Sequence, residues 1–394
     1  MGDRMGVAAR SETGQRLVGM VFLGGLALTI AATWVLFWGA PEPHFFFDLD
    51  IYRNSLKAAT DSGADTYAAL PYPPFAFLVL WWLNWVPPVL ADQLWTAASL
   101  TLLIGIAFVL AARAMESVGQ DWKADRWGLV IRGVANAILL IISMPAVSQL
   151  NLGQLSLFVL ALGFFDVAGL LPTRFQGVLV GLAGAIKLTP LVFVLYFLVT
   201  GRVRQALVAL GSFVGFTLLT WLVFPSASFQ FWTHVGGSSQ FGDSTRADNL
   251  SIRSALARIS PSLGEQTWLW LLLGVGVMIA ALWHARRHYQ RGELMESVLV
   301  VGAAATVVAP IAWPHYLLWL PMAAIWMVLS GRPIVRWLGA GLYFVYSMVY
   351  GLVASPLNSP GLAVATVDLL TLLPMVIGVC GLPRRAPVAG PVAE

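Results

Sequence analysis

The chain has 394 residues, of which 58% are hydrophobic and only 11% are charged, and its formal net charge is +4. A soluble domain carries roughly 25% charged residues, so this composition excludes a water-soluble globular protein and predicts a chain embedded in lipid. The single cysteine, Cys380, excludes an intrachain disulfide. The positive charge indicates basic cytoplasmic loops rather than a nucleic-acid-binding surface.

Apolar runs of membrane-spanning length recur along the chain. A membrane helix needs about 20 apolar residues. The first run, 17–38, is too long for a cleavable signal peptide, and no cleavage site follows it. Nine further runs follow at roughly 93–112, 128–145, 153–172, 205–224, 266–284, 295–312, 315–330, 337–353 and 362–381.

Residues 71–88 form a shorter apolar segment bracketed by prolines. A helix of about 13 residues is roughly 19 Å long, too short for a hydrocarbon core of about 30 Å. Tryptophans favour the membrane interface, and the segment holds Trp81, Trp82 and Trp85. We therefore expect a re-entrant or membrane-surface helix here.

Residues 175–201 carry Lys187 and Pro190 near their middle. A lysine at the centre of a single membrane helix costs about 3 kcal/mol. Two short helices that meet at a polar hinge avoid this cost, because irregular backbone is tolerated where it lines a cavity. The sequence thus predicts a broken helix at this position.

These segments predict an all-α integral membrane protein with about twelve transmembrane helices and both termini in the cytoplasm. Seventeen of the 23 basic residues then lie inside, as the positive-inside rule requires. The large exoplasmic loops are 39–92, which contains the interfacial helix, and 225–264. Residues 1–382 form one polytopic domain in the plasma membrane, and 383–394 form a cytoplasmic tail.

The stretch DLDIYR, residues 48–53, follows three phenylalanines at the start of the first outer loop. Asp48 can cap a helix there, which is the simplest interpretation. A carboxylate held against apolar side chains should also have a raised pKa, which suits a general base acting on an alcohol. We expect substrate contacts from its neighbours in this loop, Asp50, Tyr52, Arg53 and Tyr72.

Neutral amides and one lysine mark two further exoplasmic positions. Gln149, Asn151 and Gln154 are hydrogen-bonding groups that can bind sugar hydroxyls, although helix-end capping would also account for them. Lys187 lies at the predicted helix break, where half-helix N-termini add positive potential. It is a candidate phosphate ligand, with simple snorkelling as the alternative.

The last candidate residues lie in the stretches NLSIR and PIAWPH. Asn249 and Arg253 are candidates to bind an anionic or sugar group. The alternative is that they lie at the start of a solvent-exposed helix and bind no ligand. Trp313 and His315 lie at an exoplasmic turn, where His315 is a candidate catalytic group or a structural histidine. No metal-ligand motif and no nucleotide-binding glycine loop occurs in the sequence, so we expect neither a metal nor a cofactor.

Six motifs in order resemble one family: DLDIYR (48–53), YPP (72–74), QLNLGQ (149–154), IKLTP (186–190), NLSIR (249–253) and PIAWPH (310–315). The chain resembles the polyprenol-phosphate-mannose-dependent α-1,2-mannosyltransferases of actinobacteria, in the glycosyltransferase C superfamily, and most of all the branch that elongates phosphatidylinositol mannosides. One departure is Tyr316, where the family's motif often has a second histidine.

The resemblance implies a glycosyltransferase C-type fold in which Asp48 is the catalytic base and Asp50 fills a variable position. The implied donor is a mannose linked to polyprenyl phosphate; we expect the linkage to be β and the phosphate to lie near Lys187, Arg253 and His315. The implied acceptor is a mannose 2-hydroxyl on a phosphatidylinositol mannoside or a lipomannan-type glycolipid, and the anomeric carbon is inverted.

Two alternatives remain open at the level of sequence. A secondary transporter or flippase of a lipid-linked sugar also explains many helices, a broken helix and a buried lysine. The same fold could instead transfer glucose, arabinofuranose or galactofuranose.

Overall fold

The computed structural model describes residues 46–61, 72–234, 249–329, 332–346 and 371–383. Every regular element in these ranges is helical. The predicted first membrane run, 17–38, lies outside the described residues, as do parts of both predicted outer loops.

Helices are numbered here within the described residues. Those of the first half are α1 (Phe47–Asp61), α2 (Phe75–Leu80), α3 (Pro88–Glu116), α4 (Arg126–Ile142), α5 (Met144–Leu152), α6 (Ser156–Val167), α7 (Val178–Ile186), α8 (Val192–Val199) and α9 (Val203–Val223). Those of the second half are α10 (Pro225–Thr233), α11 (Ile252–Ile259), α12 (Pro261–Glu265), α13 (Thr267–Gln290), α14 (Leu294–Val308), α15 (Trp319–Val328), α16 (Pro333–Phe344) and α17 (Thr371–Cys380). Short 3₁₀ turns lie at Trp81–Asn84, Thr189–Leu191 and Pro314–Leu318.

Three of the described helices, α3, α9 and α13, are long and apolar enough to cross a membrane. A fourth span is possible if α4 and α5, bent by 66° at their junction, are counted together. Large apolar side chains on α9 face outward, and Leu222 is 83% exposed. Such exposure is expected for a helix that is solvated by lipid. The helical membrane architecture is therefore confirmed, whereas the number of twelve helices stays a prediction.

The predicted break in 175–201 is present. Helix α7 ends at Ile186, Lys187 adopts extended backbone angles, and a 3₁₀ turn at Thr189–Leu191 leads into α8. The buried carboxylate of Asp166 accepts hydrogen bonds from the backbone N–H groups of Gly177 (2.7 Å) and Val180 (2.9 Å). This carboxylate caps α7, because the first N–H groups of a helix have no partner within it.

A separate apolar core joins the first outer loop to the helices around the break. Leu49 and Leu56 of α1 are fully buried, and they share this cluster with Leu155 and Ile186. Burial of an aliphatic side chain stabilises by about 1.5–3 kcal/mol. This core therefore fixes α1, and with it Asp48, against the start of α6 and the end of α7.

Candidate active site

The approach of α1 to the end of α5 depends on Gly153. Gly153 ends α5 in the left-handed region (φ 65°), and a Cβ there would lie 2.8 Å from Cβ of Leu49. The Phe46 N–H donates to the carbonyl of Asn151 at 2.6 Å. Only glycine combines this backbone conformation with so close a contact, so the QLNLGQ motif places Asp48 beside Gln154.

The predicted capping role of Asp48 is wrong. Helix α1 begins at Phe47, so Asp48 lies within its first turn rather than at its N-cap. The side-chain Nε2 of Gln154 donates to Oδ2 of Asp48. The carboxylate is thus bound to a side chain 106 positions away in sequence, which no consideration of local helix capping predicts.

A chain of hydrogen bonds connects this carboxylate to the lysine. Oε1 of Gln154 accepts from the hydroxyls of Tyr52 (3.3 Å) and Ser156 (3.2 Å). Oγ of Ser156 in turn accepts from Nζ of Lys187 at 2.9 Å. The structure therefore brings together the predicted residues Asp48, Tyr52, Gln154 and Lys187, with Ser156 as the link.

Lys187 is surrounded by aromatic rings. Its Nζ lies 3.7 Å from the ring centroid of Tyr316 and 5.2 Å from that of Tyr72. Among the described residues, no carboxylate is in ion-pair contact with it. A half-buried cation without a paired anion is costly, so this position favours an anionic ligand.

A cavity of about 70 Å³ opens beside Lys187. His315 and Gln149 line it and are almost fully buried, at 3% and 2% exposure. Both ring nitrogens of His315 and Oε1 of Gln149 lack hydrogen-bond partners within the described part of the chain. Each unpaired buried polar atom costs about 1–3 kcal/mol, which indicates that a polar ligand supplies the missing hydrogen bonds.

Much of the remaining lining of this cavity is apolar. Val159, Leu160, Val192, Phe193 and Trp319 contribute to it. Gln149 closes the polar side, because its Nε2 donates to the carbonyl of His315 at 2.7 Å and holds the PIAWPH turn against α5. The cavity therefore suits an amphiphile with a polar, anionic head and an apolar tail.

Burial raises the pKa of Asp48 above its ordinary value, although the hydrogen bond from Gln154 and the charge of Lys187 both oppose this rise. The prediction of a carboxyl with raised proton affinity is in accord with this direction. Burial and the charge of Asp48 also raise the pKa of Tyr52, which keeps that hydroxyl protonated as a hydrogen-bond donor. Of Asp48 and Tyr52, Asp48 is therefore the group suited to accept a proton.

The second carboxylate of the loop points elsewhere. Asp50 and Asp92 both pair with the guanidinium of Arg53, which also donates to the carbonyl of Pro88 at 3.2 Å. Asp48 and Asp50 are therefore held by different partners, Gln154 and Arg53. Within the described ranges, no group of three or more His, Cys, Asp or Glu side chains could hold a metal ion.

Four predicted residues stand apart from this network. Asn249 is fully buried, and its Oδ1 accepts from the backbone N–H groups of Ser251 (3.2 Å) and Ala312 (3.0 Å). Arg253 donates to the carbonyl of Gly264 at 3.3 Å. No hydrogen bond between described residues joins either one to Asp48 or Lys187.

The other two are Asn151 and Trp313. Asn151 is exposed, and its backbone carbonyl accepts from the N–H of Phe46. Trp313 is half-buried and directly precedes the turn that carries His315. Substrate contacts of these four residues stay predictions.

Sequence reasoning missed Ser156 and gave Tyr316 no role. Ser156 ends the polar stretch that begins at Gln149, so its position two residues after Gln154 was an available indication. Tyr316 was noted only as a departure from a histidine pattern, whereas its ring is the nearest to Nζ of Lys187.

Comparison with known proteins identifies relatives of this chain. The profile of glycosyltransferase family 87 matches residues 70–310. A polyprenol-phosphate-mannose-dependent α-(1-2)-phosphatidylinositol mannoside mannosyltransferase of Mycobacterium tuberculosis is 30% identical over 348 residues, covering 82% of this chain and 78% of the relative. A phosphatidylinositol pentamannoside mannosyltransferase of the same donor dependence and linkage, from Mycolicibacterium smegmatis, is 29% identical over 348 residues, covering 82% and 80%. No solved structure gives a significant match.

Proposed function

The chain belongs to glycosyltransferase family 87, and on that premise we propose that it transfers mannose from polyprenyl-phosphate-mannose to a mannose 2-hydroxyl of a phosphatidylinositol mannoside or lipomannan-type glycolipid. The names of the relatives supply the donor, the linkage and the class of acceptor. The basic loops support a reaction on the exoplasmic side of the plasma membrane.

One observation carries the proposal: a half-buried carboxylate and a cation without an ion-pair partner face one site across a short chain of hydrogen bonds. Asp48 reaches Lys187 through Gln154 and Ser156. A glycosyl transfer from a lipid phosphate needs a base for the acceptor alcohol and positive charge for the departing phosphate. The site holds one group of each kind.

The donor's phosphate binds beside Lys187 and the unpartnered nitrogens of His315. The ammonium group and the imidazole donate hydrogen bonds to the phosphate oxygens as negative charge develops on them. The first carbons of the lipid lie against the apolar side of the cavity, near Phe193 and Trp319. The mannose is then directed towards Asp48.

Asp48 accepts the proton of the acceptor 2-hydroxyl while that oxygen attacks the anomeric carbon. The bond from this carbon to the phosphate oxygen breaks, the configuration changes from β to α, and polyprenyl phosphate departs. The phosphate is already a good leaving group, so the reaction needs no second carboxyl as acid, in contrast to the hydrolysis of a glycoside. Gln154 keeps the carboxylate of Asp48 oriented towards the acceptor.

The test uses radiolabelled polyprenyl-phosphate-mannose and membranes that contain the protein but lack other activity of this kind. We expect label in a glycolipid that an α-1,2-specific mannosidase can release. Asp48→Asn should lower the rate about 10²- to 10⁴-fold, as expected for loss of a general base. Asp50→Asn, a matched change of the carboxylate paired with Arg53, should retain most activity.

Near-normal transfer by Asp48→Asn would remove Asp48 from the mechanism. Donors carrying glucose, arabinofuranose or galactofuranose serve as parallel substrates, and faster transfer from one of them would replace mannose in the proposal. Label that crosses the bilayer without entering a larger glycolipid would favour a flippase or transporter. Asp166, a candidate proton-carrying acid for a transporter, instead caps a helix, which favours transfer.

A further inference from the structure

A second cavity lies at the other end of α6, away from Asp48. Helix α6 begins at Ser156 in the candidate active site and ends at Val167, which lines this cavity. Twelve helical residues span about 18 Å, so the two sites are separate. The volume is about 530 Å³, within the range of small-molecule sites, and exposed residues Thr173 and Gly292 form its mouth.

Arg202 is the charged side chain of this cavity. Its Nη2 donates to Oε1 of Gln176 at 2.8 Å, and its guanidinium lies 4.6 Å from the ring of Phe197 and 5.9 Å from that of Tyr289. Among the described residues, no carboxylate forms an ion pair with it. The group is therefore oriented by its neighbours, and it is attracted by the nearby carboxylate of Asp166 without forming a direct ion pair with it.

The acids nearest to the cavity in sequence have other partners. Both carboxylate oxygens of Asp166 accept backbone N–H groups at the start of α7. Glu293 is bound to Nδ1 of His288 at 2.7 Å. Neither acid is in direct contact with Arg202, although the charge of Asp166 attracts it, so a negatively charged ligand would not have to break an internal ion pair.

The walls of the cavity are already ordered by contacts within the protein. Arg113 donates to the carbonyl of Ala168 at 2.6 Å, next to the lining residue Gly169. The Gln205 side chain lines the cavity and makes no hydrogen bond to other described residues. Helix α9 begins at Val203 beside Arg202, and the N-terminus of a helix adds positive potential.

We propose that this cavity is a binding site for a phosphate group, with Arg202 as its charged ligand and Gln205 as a neutral donor. A guanidinium suits phosphate oxygens because it offers several N–H groups in one plane. Basic loops place this end of the molecule in the cytoplasm if the positive-inside rule holds. The phosphate can then belong to an anionic lipid headgroup of the inner leaflet or to a soluble phosphate compound.

The experiment measures binding to the purified full-length protein in detergent by native mass spectrometry and by titration. The probes are short-chain phosphatidylglycerol, short-chain phosphatidylcholine and inorganic phosphate. Phosphatidylglycerol can also bind at the candidate active site, so Lys187→Gln is measured in parallel: the binding that Lys187→Gln retains and Arg202→Gln loses belongs to the second cavity. Arg286→Gln is the matched control, because this exposed arginine lies at the same end and outside the cavity.

We expect Arg202→Gln to weaken phosphatidylglycerol binding at least tenfold, and Arg286→Gln to change it less than twofold. Competition by inorganic phosphate would assign the site to soluble phosphates as well, and its failure to compete would assign the site to a lipid headgroup. If Arg202→Gln does not fold, Gln205→Leu replaces it, with an expected loss of at least threefold. Equal binding by wild type and the cavity variants, or an equal loss in Arg286→Gln, would overturn the proposal.

Discussion

His315 lowers the stability of the protein without a ligand, because its ring nitrogens are buried and unpartnered, but the same nitrogens can bind a ligand. Its ring is buried against Tyr316, with centroids 4.6 Å apart, yet neither nitrogen has a partner in the described part of the chain. A histidine present only for stability would hydrogen-bond to the protein. The alternative of a purely structural histidine is therefore disfavoured.

We predict that His315→Phe preserves the ring contact and leaves the melting temperature equal to or above that of wild type. The rate of transfer should fall about 10²-fold, as is typical when one group that stabilises developing charge is lost. Paired thermal unfolding and transfer assays measure both quantities. A lower melting temperature with an unchanged rate would assign His315 a structural role.

Gln154 is a positioning residue whose effect on Asp48 can be read from pH dependence. A base must be ionised to act. The kcat/KM of the wild-type protein for the donor should therefore fall as the pH drops through the raised pKa of Asp48. The hydrogen bond from Gln154 lowers this pKa. Gln154→Leu removes that bond and should move the acid limb of the profile to higher pH.

The expected displacement is about one to two pH units, because a hydrogen bond to a charged group contributes about 1.5–3 kcal/mol and one pKa unit corresponds to 1.36 kcal/mol. The profile is measured for both proteins with saturating acceptor. A uniform loss of rate at every pH, with the inflection unmoved, would show that Gln154 supports only the fold or substrate binding.

At the scale of helices, single residues that interrupt an apolar run explain why the helix break could be predicted from the sequence. Lys187 and Pro190 cannot continue an apolar helix at low cost, and the structure has its break there. Hydrophobicity predicts one run over 128–145, whereas the structure ends α4 at Ile142 and begins α5 at Met144. Pro145 lies in the first turn of α5, where proline is favoured, and the 66° bend directs Gln149 towards the PIAWPH turn.

The contacts between distant segments could not be predicted from one sequence. The hydrogen bond between Gln154 and Asp48, and that between Gln149 and the carbonyl of His315, join positions 106 and 166 residues apart. Periodicity and capping rules act over a few residues. Asn249 illustrates the limit: its sequence context did not predict that its Oδ1 accepts from the backbone N–H groups of Ser251 and Ala312, and its substrate contact stays a prediction.

Gly153 links element packing to activity. Gly153→Ala would put a methyl group against Leu49 in a backbone region that costs about 1–2 kcal/mol for a residue with a Cβ. We expect a lower melting temperature and at least a tenfold loss of transfer, since a shift of about 1 Å at a reacting group can cost 10²-fold. Gly211→Ala is the control, because nothing lies within 4 Å of its added Cβ.

An unchanged rate in Gly153→Ala would show that α1 adjusts without moving Asp48. Equal losses in Gly153→Ala and Gly211→Ala would indicate general sensitivity to alanine rather than a specific contact.

At the scale of the whole molecule, the charge distribution predicts which face carries the site. Exposed Gln120 follows α3, and exposed Ser262 lies in α12, within the predicted second outer loop. The positive-inside rule assigns the first to the cytoplasm, and the alternation of spans assigns the second to the exoplasmic side. Asp48 should share the side of Ser262.

Single cysteines test this orientation, because Cys380 is the only cysteine in the chain and can be replaced by serine. In intact cells, a membrane-impermeant maleimide should label Ser262→Cys and should label Gln120→Cys only after the membrane is opened. Retained transfer activity verifies that both variants are folded. The reverse pattern would place the Asp48 site on the cytoplasmic face. Glycolipid acceptors and lipid-linked donor would then have to meet there, and the proposed phosphate site at Arg202 would face the outer leaflet.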